Sequence, residues 1–413
     1  MKVVNTQACT SLSIGQCGNA PCMELQERRG ASLTPNNSPE PLNGTSNRLS
    51  SMHIGEGNLN TRQGVAVTGN IPVIDKNGRP LMPCSPTKVR KLLKQGKARK
   101  KWDKLGIFYI QLEYAIEPDN QRMVIGTDPG SKFEANSVLG PQKTTLNIMS
   151  EATDWVSARV DTRRMIRRSR RNRNCRRRSS RFDNRHTKKV PPSTKARWQA
   201  KLNIIKRLMK IIPITDDVVE DIKATTRGQR RWDASFSPLE VGKQWFYKEL
   251  HKIGLSVHLK QGMETKELRD VRGLEKSKRK NLPIFEAHCV DSWVLAATLS
   301  NIKKPVKDLY YLIPFQYHRR QLHKLEPAKG NIRRREGGTI SLGIKRGTLC
   351  WYKNKLCYVG GFMKDRLSLH NYKTGKRITQ TAKMDDINTI ANIKYRAQFI
   401  SIPEGRGFLA PGG

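Results

Sequence analysis

The chain has 413 residues, with 78 Lys plus Arg against 35 Asp plus Glu, a formal net charge of +43. Self-repulsion of that size opposes a compact state unless a polyanion screens it, which argues against a small-molecule enzyme working alone and points to nucleic acid or an anionic membrane surface. No run of 18 apolar residues occurs, which excludes a spanning helix, while 36% hydrophobic residues suffice for a core in a chain long enough for two or three compact units.

Residues 1–60 carry four basic and four acidic residues, so the whole excess lies in 61–413. They are rich in Asn, Ser, Gly, Thr and Pro and read as a disordered or appended segment, and as a poor signal peptide. Residues 71–83 alternate around Asn77-Gly78, a hairpin turn signal. Residues 86–97 have the spacing of a helix, and 106–114 that of a strand. Residues 122–127 form a short apolar run ending at Asp128-Pro129-Gly130, with further strands expected at 133–139 and 144–149. Residues 163–189 hold twelve Arg and two Lys against one acid, Asp183. Arg is a good helix former and the better fork for phosphate oxygens. The run reads either as a long helix that orders on a nucleic-acid backbone or as a disordered basic arm. Trp198, Leu202, Ile205, Leu208 and Met209 then recur at helical spacing. The remaining elements are a short run at 217–220, helices at 238–253 and 284–300, and a strand at 255–259. Strands alternating with helices in this way make a mixed α/β pattern. From 338 to 400 short strands and Gly turns suggest a small all-β unit. The eight cysteines form no C-x-x-C pair, which gives no support for zinc knuckles and fits a reducing compartment, the cytoplasm or nucleoid.

Three acids stand out in a chain with few. Asp128 closes an apolar strand, Glu220 follows Val218-Val219, and Asp291 sits on a helix with His288 three residues earlier, on the same face. Each has an ordinary reading: a turn, a solvated strand end, a helix start. Together, in this order on these elements, they match what metal-assisted phosphodiester hydrolysis needs. Two Mg2+ ions about 3.5–4 Å apart clamp the attacking and leaving oxygens. Hard carboxylates are their ligands, and an imidazole can orient water or move a proton.

The motifs resemble known ones. Val124 to Phe133, through Gly126-Thr127-Asp128-Pro129-Gly130, resembles the first motif of RuvC-type, RNase H-like nucleases. Val218-Val219-Glu220 resembles the second, and His288-Cys289-Val290-Asp291 the H-x-x-D of the third. The Arg-rich run resembles the bridge helix of RNA-guided effectors. Pro80-Leu81-Met82-Pro83 is similar to the PLMP motif that opens the transposon-encoded IscB and IsrB proteins, and the basic pairs resemble those of the RRXRR family. Glu220 and Asp291 are 71 residues apart, and no cluster marks an inserted HNH nuclease. The better resemblance is therefore to IsrB, the relative without that insertion. Thr127 departs from the family, which more often has an apolar residue there.

The resemblance implies an α/β fold: an RNase H-like (RuvC) nuclease domain split by an Arg-rich bridge helix, plus a small C-terminal β-rich domain. The expected boundaries are an appended segment 1–68, a PLMP domain 69–118, RuvC-like part I 119–156, the bridge helix 157–192, RuvC-like parts II and III 193–312, and a basic linker with the C-terminal β domain 313–413. The implied activity is an RNA-guided DNA endonuclease that holds a structured omega guide RNA and nicks the displaced strand of double-stranded target DNA. Asp128, Glu220 and Asp291 would bind two Mg2+ ions, with Mn2+ as a substitute, and His288 would act on the water or leaving group. Nucleic acid would be held by Arg163, Arg164, Arg167, Arg168, Arg170, Arg171, Arg173, Arg176, Arg177, Arg178 and Arg181, and in the linker by Arg319, Arg320, Arg333, Arg334 and Arg335. The expected assembly is a monomeric protein in a ribonucleoprotein, in the cytoplasm, away from membranes. Two other readings remain: a non-catalytic transposon RNA-binding or regulatory protein, and a guide-independent RuvC-type resolvase. Gly337-Gly338 and Gly360-Gly361 read as turns. Trp351, Tyr352, Tyr358 and Phe362 read as core residues of the β unit. Pro80–Pro83 reads either as a rigid turn after the hairpin or as a functional element.

Overall fold

The computed structural model describes residues 69–153, 155–172, 190–221, 238–315 and 339–401. The expectations for 1–68, for Arg173, Arg176, Arg177, Arg178 and Arg181, for Arg319, Arg320, Arg333, Arg334 and Arg335, and for Gly337-Gly338 lie outside these residues.

The first element is a four-stranded sheet in the order β2-β1-β4-β3, made by β1 (Ile71–Ile74), β2 (Pro80–Cys84), β3 (Ala98–Trp102) and β4 (Phe108–Leu112), with α1 (Pro86–Lys94) between β2 and β3. The Asn77-Gly78 hairpin forms as its sequence predicts, with Gly78 at φ +85°. The Pro-Leu-Met-Pro segment is β2 itself, not a turn. It runs antiparallel to β1 at the sheet edge, where a proline leaves no ladder bond unmade.

A seven-stranded sheet follows, in the order β18-β10-β7-β6-β5-β8-β9. Its centre is β5 (Val124–Asp128), β6 (Phe133–Leu139) and β7 (Thr144–Glu151), joined antiparallel in sequence. β8 (Asp216–Asp221) and β9 (Ser256–Gln261) then add in parallel on the other side of β5. This is the RNase H-like arrangement that the motifs imply. Between β7 and β8 the chain leaves the sheet as α2 (Trp155–Asn172), the described part of the Arg-rich run, and returns through α3 (Pro192–Leu208).

Strand alternation sends successive residues of β5 and β8 to opposite faces, and both faces are covered. On one, α3 and α4 (Pro238–Lys252) pack Leu202, Ile205, Leu208, Phe246 and Leu250 against Ile125, Ile148 and Val219. On the other, α7 (Val290–Ala296) packs Trp293 and Val294 against Val124, Ala135 and Val218. Two elements absent from the sequence reading lie nearby: α5 (Gly262–Val271) after β9, and β10 (Leu309–Pro314). The helix expected over 284–300 is broken into α6 (Phe285–His288), α7 and a 3-10 turn at Ala297–Leu299. The break falls at Cys289, whose ψ of −9° departs from the helical value, and α7 starts afresh beyond it.

The C-terminal residues form a small hairpin, β11 (Ile340–Ser341) with β12 (Ile344–Lys345), and a five-stranded antiparallel sheet. That sheet has the order β16-β15-β14-β13-β17, from β13 (Thr348–Tyr352), β14 (Lys355–Met363), β15 (Arg366–Asn371), β16 (Arg377–Ala382) and β17 (Ile387–Asn392). The last strand, β18 (Tyr395–Ile400), does not stay in this unit. It pairs antiparallel with β10 and closes the edge of the central sheet. Gly360-Gly361 is not a turn but an irregularity within β14, where the ring of His370 takes the space of a side chain at 360. Phe362 is exposed rather than core.

Candidate active site

The three acids converge because of two backbone relations. β5 and β8 run parallel in register, Gly126 beside Val218 and Thr127 beside Val219. Asp128 and Glu220, one residue further along each strand, therefore leave the sheet side by side at the carboxyl ends of neighbouring strands. Asp291 arrives from α7, which crosses the same face. A Cβ at position 126 would lie 1.9 Å from the Ser292 carbonyl oxygen and 2.7 Å from the Ala296 nitrogen. Only glycine lets the α7 backbone approach β5 this closely, and that approach brings Asp291 to Asp128. A buried hydrogen bond between the Ser137 and Ser292 hydroxyls, 2.8 Å long, ties α7 to β6 as well.

The carboxyls feel one another. Burial raises the carboxyls of both Asp128 and Glu220, and each lies within range of the other. Burial, then the charges of Asp128 and Asp291, push the Glu220 carboxyl up to about 7. Burial also raises the Asp128 carboxyl, and Asp291 adds to it, while Lys276 and Lys201 pull it down. Carboxyls perturbed in this way mark a candidate functional site.

Two cations on the stretch around α5 hold Asp291, which is only 3% exposed. Arg269 bonds Oδ1, and Lys276 bonds Oδ2 at short range. Burial works against the charge of Lys276, but its hydrogen bond to Asp291 and the charges of Asp291, Asp128 and Glu220 outweigh that and raise its pKa. Among the described residues no three His, Cys, Asp or Glu side chains close on a common point. Asp291 is held by its two cations instead. Asp128, Glu220 and Asp291 are hard oxygen donors of the kind a divalent cation takes, with Asp291 turned here to Arg269 and Lys276.

His288 takes other partners. Its Nε2 lies 3.1 Å from the Lys280 carbonyl oxygen, to which it donates, and its ring packs edge-on against Phe133 at 4.8 Å. Burial, then the charge of Lys280, lowers its pKa, so the ring is neutral at pH 7. In this arrangement the imidazole supports the loop around Lys280 and the segment after Asp128, and does not bond the carboxylates.

Sequence reasoning missed the supports of the centre. Lys201 on α3 is buried, bonds the Gly130 carbonyl at 2.8 Å and pairs with buried Glu134 at 2.7 Å. It thus clamps the turn that follows Asp128 to the start of β6. Its place on the inner face of α3, between Trp198 and Leu202, was the only available signal. Lys276 and Arg269 looked like two more members of a basic stretch. On the opposite face of the sheet, the Thr127 hydroxyl lies 2.8 Å from Asp217 Oδ1 and 3.2 Å from Asn136 Oδ1. This buried polar group explains the departure from an apolar residue at 127.

The basic residues expected to hold nucleic acid divide clearly. Arg163, Arg164, Arg167 and Arg168 are all exposed on α2, and among the described residues only Arg164 has an acidic neighbour, Asp161 at 3.3 Å. Val156 is the one buried residue in the described part of α2, and Met165 is 62% exposed. A helix that is polar nearly all round gains little from the core and needs something else to cover it. Arg170 and Arg171 belong to this helix.

Residues 71–231 match the family model of the RRXRR proteins. That match spans the first sheet, β5–β8 and α2, and stops short of Asp291. Two solved structures are similar, both with 13% identity over 43% of this chain and 92% of theirs. They are T. thermophilus RuvC in complex with Holliday junction substrate, with a TM-score of 0.25, and Thermus thermophilus RuvC alone, with 0.22. No curated protein matches the chain.

Proposed function

We propose that the chain is a RuvC-type, Mg2+-dependent endonuclease that works in a ribonucleoprotein with a structured guide RNA and nicks the displaced strand of its DNA target. The observation that carries the nuclease reading is the meeting of Asp128, Glu220 and Asp291 at the ends of β5 and β8 and the first turn of α7. These three would hold the divalent cations, which supply positive charge to the attacking and leaving oxygens of the phosphodiester. The chain's own contribution is placement. Gly126 sets the depth of α7, the Lys201–Glu134 pair fixes the turn after Asp128, and Arg269 fixes Asp291. One such centre among the described residues cuts one strand, which supports nicking over double-strand cleavage.

Guide RNA is supported by the exposed Arg face of α2, inserted between the two halves of the nuclease fold. Backbone contacts of that kind hold an RNA or heteroduplex while base pairing reads the sequence. The test is to purify the chain with its RNA, sequence that RNA, and supply a matched supercoiled target with Mg2+. Asp128→Ala should abolish nicking and leave RNA binding intact. Metal-dependent cutting that needs no RNA would remove the guided reading. Failure of any divalent metal to support cleavage of matched targets would remove the enzyme.

A further inference from the structure

Asp291 has both carboxylate oxygens engaged: Oδ1 by Arg269 and Oδ2 by Lys276. Each oxygen keeps a second lone pair, but a divalent cation bound there would sit close to the charge of one of these two groups and is opposed by it. The two are not equivalent. Arg269 stands on α5, with 17% of its side chain exposed, and the helix holds its backbone. Lys276 stands beyond the end of α5, in a segment without regular structure that runs to α6, and 32% of its side chain faces solvent. Its ammonium ends a flexible four-carbon stem and can move while the backbone stays in place. Lys280, on the same segment, is directed to the Ala287 carbonyl at 3.0 Å and is already committed.

We propose that Lys276 is a substrate-contacting residue of the centre: it holds Asp291 while no divalent cation is bound, competes with that cation for the carboxylate, and on release bonds a non-bridging oxygen of the scissile phosphate. This inference rests on the nuclease reading above. The released ammonium lies beside the carboxyl cluster over which a phosphodiester must sit, and a phosphate oxygen is the nearest acceptor of like charge to the one it leaves. Lysine serves such a role as a mobile point charge.

The test is Mn2+ binding to the full chain in its RNA complex, read by electron paramagnetic resonance, for the wild type, Lys276→Met, Lys276→Arg and the double variant Asp128→Asn, Glu220→Gln. Melting temperatures confirm that each variant folds. Removing a competing, partly exposed ion pair should tighten Mn2+ binding by about fivefold in Lys276→Met. At saturating Mn2+ the same variant should lose most of its kcat, and Lys276→Arg should recover part of it. Equal or weaker Mn2+ binding by Lys276→Met, beside a wild type that binds, would overturn the competition. Tighter binding with undiminished kcat would overturn the phosphate contact. A wild type that binds no Mn2+, or a double variant that binds it as well as the wild type, would overturn the nuclease reading itself.

Discussion

Asp217 is fully buried on β8, three residues before Glu220 and on the other face of the sheet. Replacing it by Asn should stabilise the protein, and only above a defined pH. Its Oδ1 lies 2.8 Å from the Thr127 hydroxyl, which also lies 3.2 Å from Asn136 Oδ1, and its Oδ2 has no partner among the described residues. A hydroxyl has one hydrogen to give. If Thr127 donates it to Asn136, the remaining contact needs a donor on Asp217, which a protonated carboxyl supplies. Burial agrees, pushing this carboxyl from 3.8 up to about 7. The sign follows from linkage. The folded state keeps a proton that the unfolded chain releases from about pH 4 upwards. Stability from this group is therefore complete at low pH, falls as pH rises through the window from about 4 to 7, and stays lost above it. Three pKa units correspond to about 4 kcal/mol at pH 8. Asparagine keeps the shape, donates to Thr127 and has no proton to lose. The assay is the melting temperature of wild type and Asp217→Asn at pH 5, 6, 7 and 8, taken as a difference so that the other charges cancel. The gain should be about 4 °C at pH 5 and grow to about 10 °C at pH 8, at roughly 2–4 °C per kcal/mol. A difference that does not change with pH, or a variant less stable than wild type at pH 8, would refute the reasoning.

Other outcomes follow from the same geometry. Gly126→Ala should lower stability by about 3 kcal/mol or more, because its Cβ would meet the α7 backbone, and should also displace Asp291; thermal unfolding and Mn2+ binding read the two effects. Apparent divalent-cation affinity should rise as pH climbs from 6 to 8, since the proton on Glu220, with its pKa near 7, must leave before the carboxylate can ligate. Calorimetry in buffers of different ionisation enthalpy should detect that proton, and a flat affinity over this range would count against it. Replacing Arg163, Arg164, Arg167 and Arg168 together by Ala should weaken RNA binding and reduce its logarithmic salt slope by about three, at ~0.7–0.9 per lost phosphate contact. An unchanged slope would mean that α2 faces something other than a phosphate backbone.

Much of the fold was legible because its signals are local. Asn77-Gly78 specified its hairpin, the apolar runs before Asp128 and Glu220 specified β5 and β8, and Trp198, Leu202 and Leu208 specified α3. The misreadings have a common origin in context. Pro80–Pro83 read either as a rigid turn or as a functional element, and edge pairing with β1 makes it a strand. Gly360-Gly361 looked like a turn until β13 and β15 flanked it. The continuous apolar pattern over 284–300 hid the break at Cys289, since hydrophobic spacing carries no record of where a backbone is re-aimed.

The sequence by itself pointed to a polyanionic partner, through an uncompensated +43 concentrated beyond residue 60. It also determined which three acids to examine, because each sits in a short motif whose residues are neighbours along the chain. Only the tertiary structure decided what those acids do to one another. Parallel register between β5 and β8, and the depth of α7 over Gly126, join residues 92 and 163 positions beyond Asp128 into one electrostatic unit. It also separated the cations into roles. Lys201, Arg269 and Lys276 are indistinguishable from dozens of other charges in the sequence, yet burial and an anionic neighbour make them parts of the centre. Charge counts are additive along a chain, whereas pairing depends on distances that only folding sets.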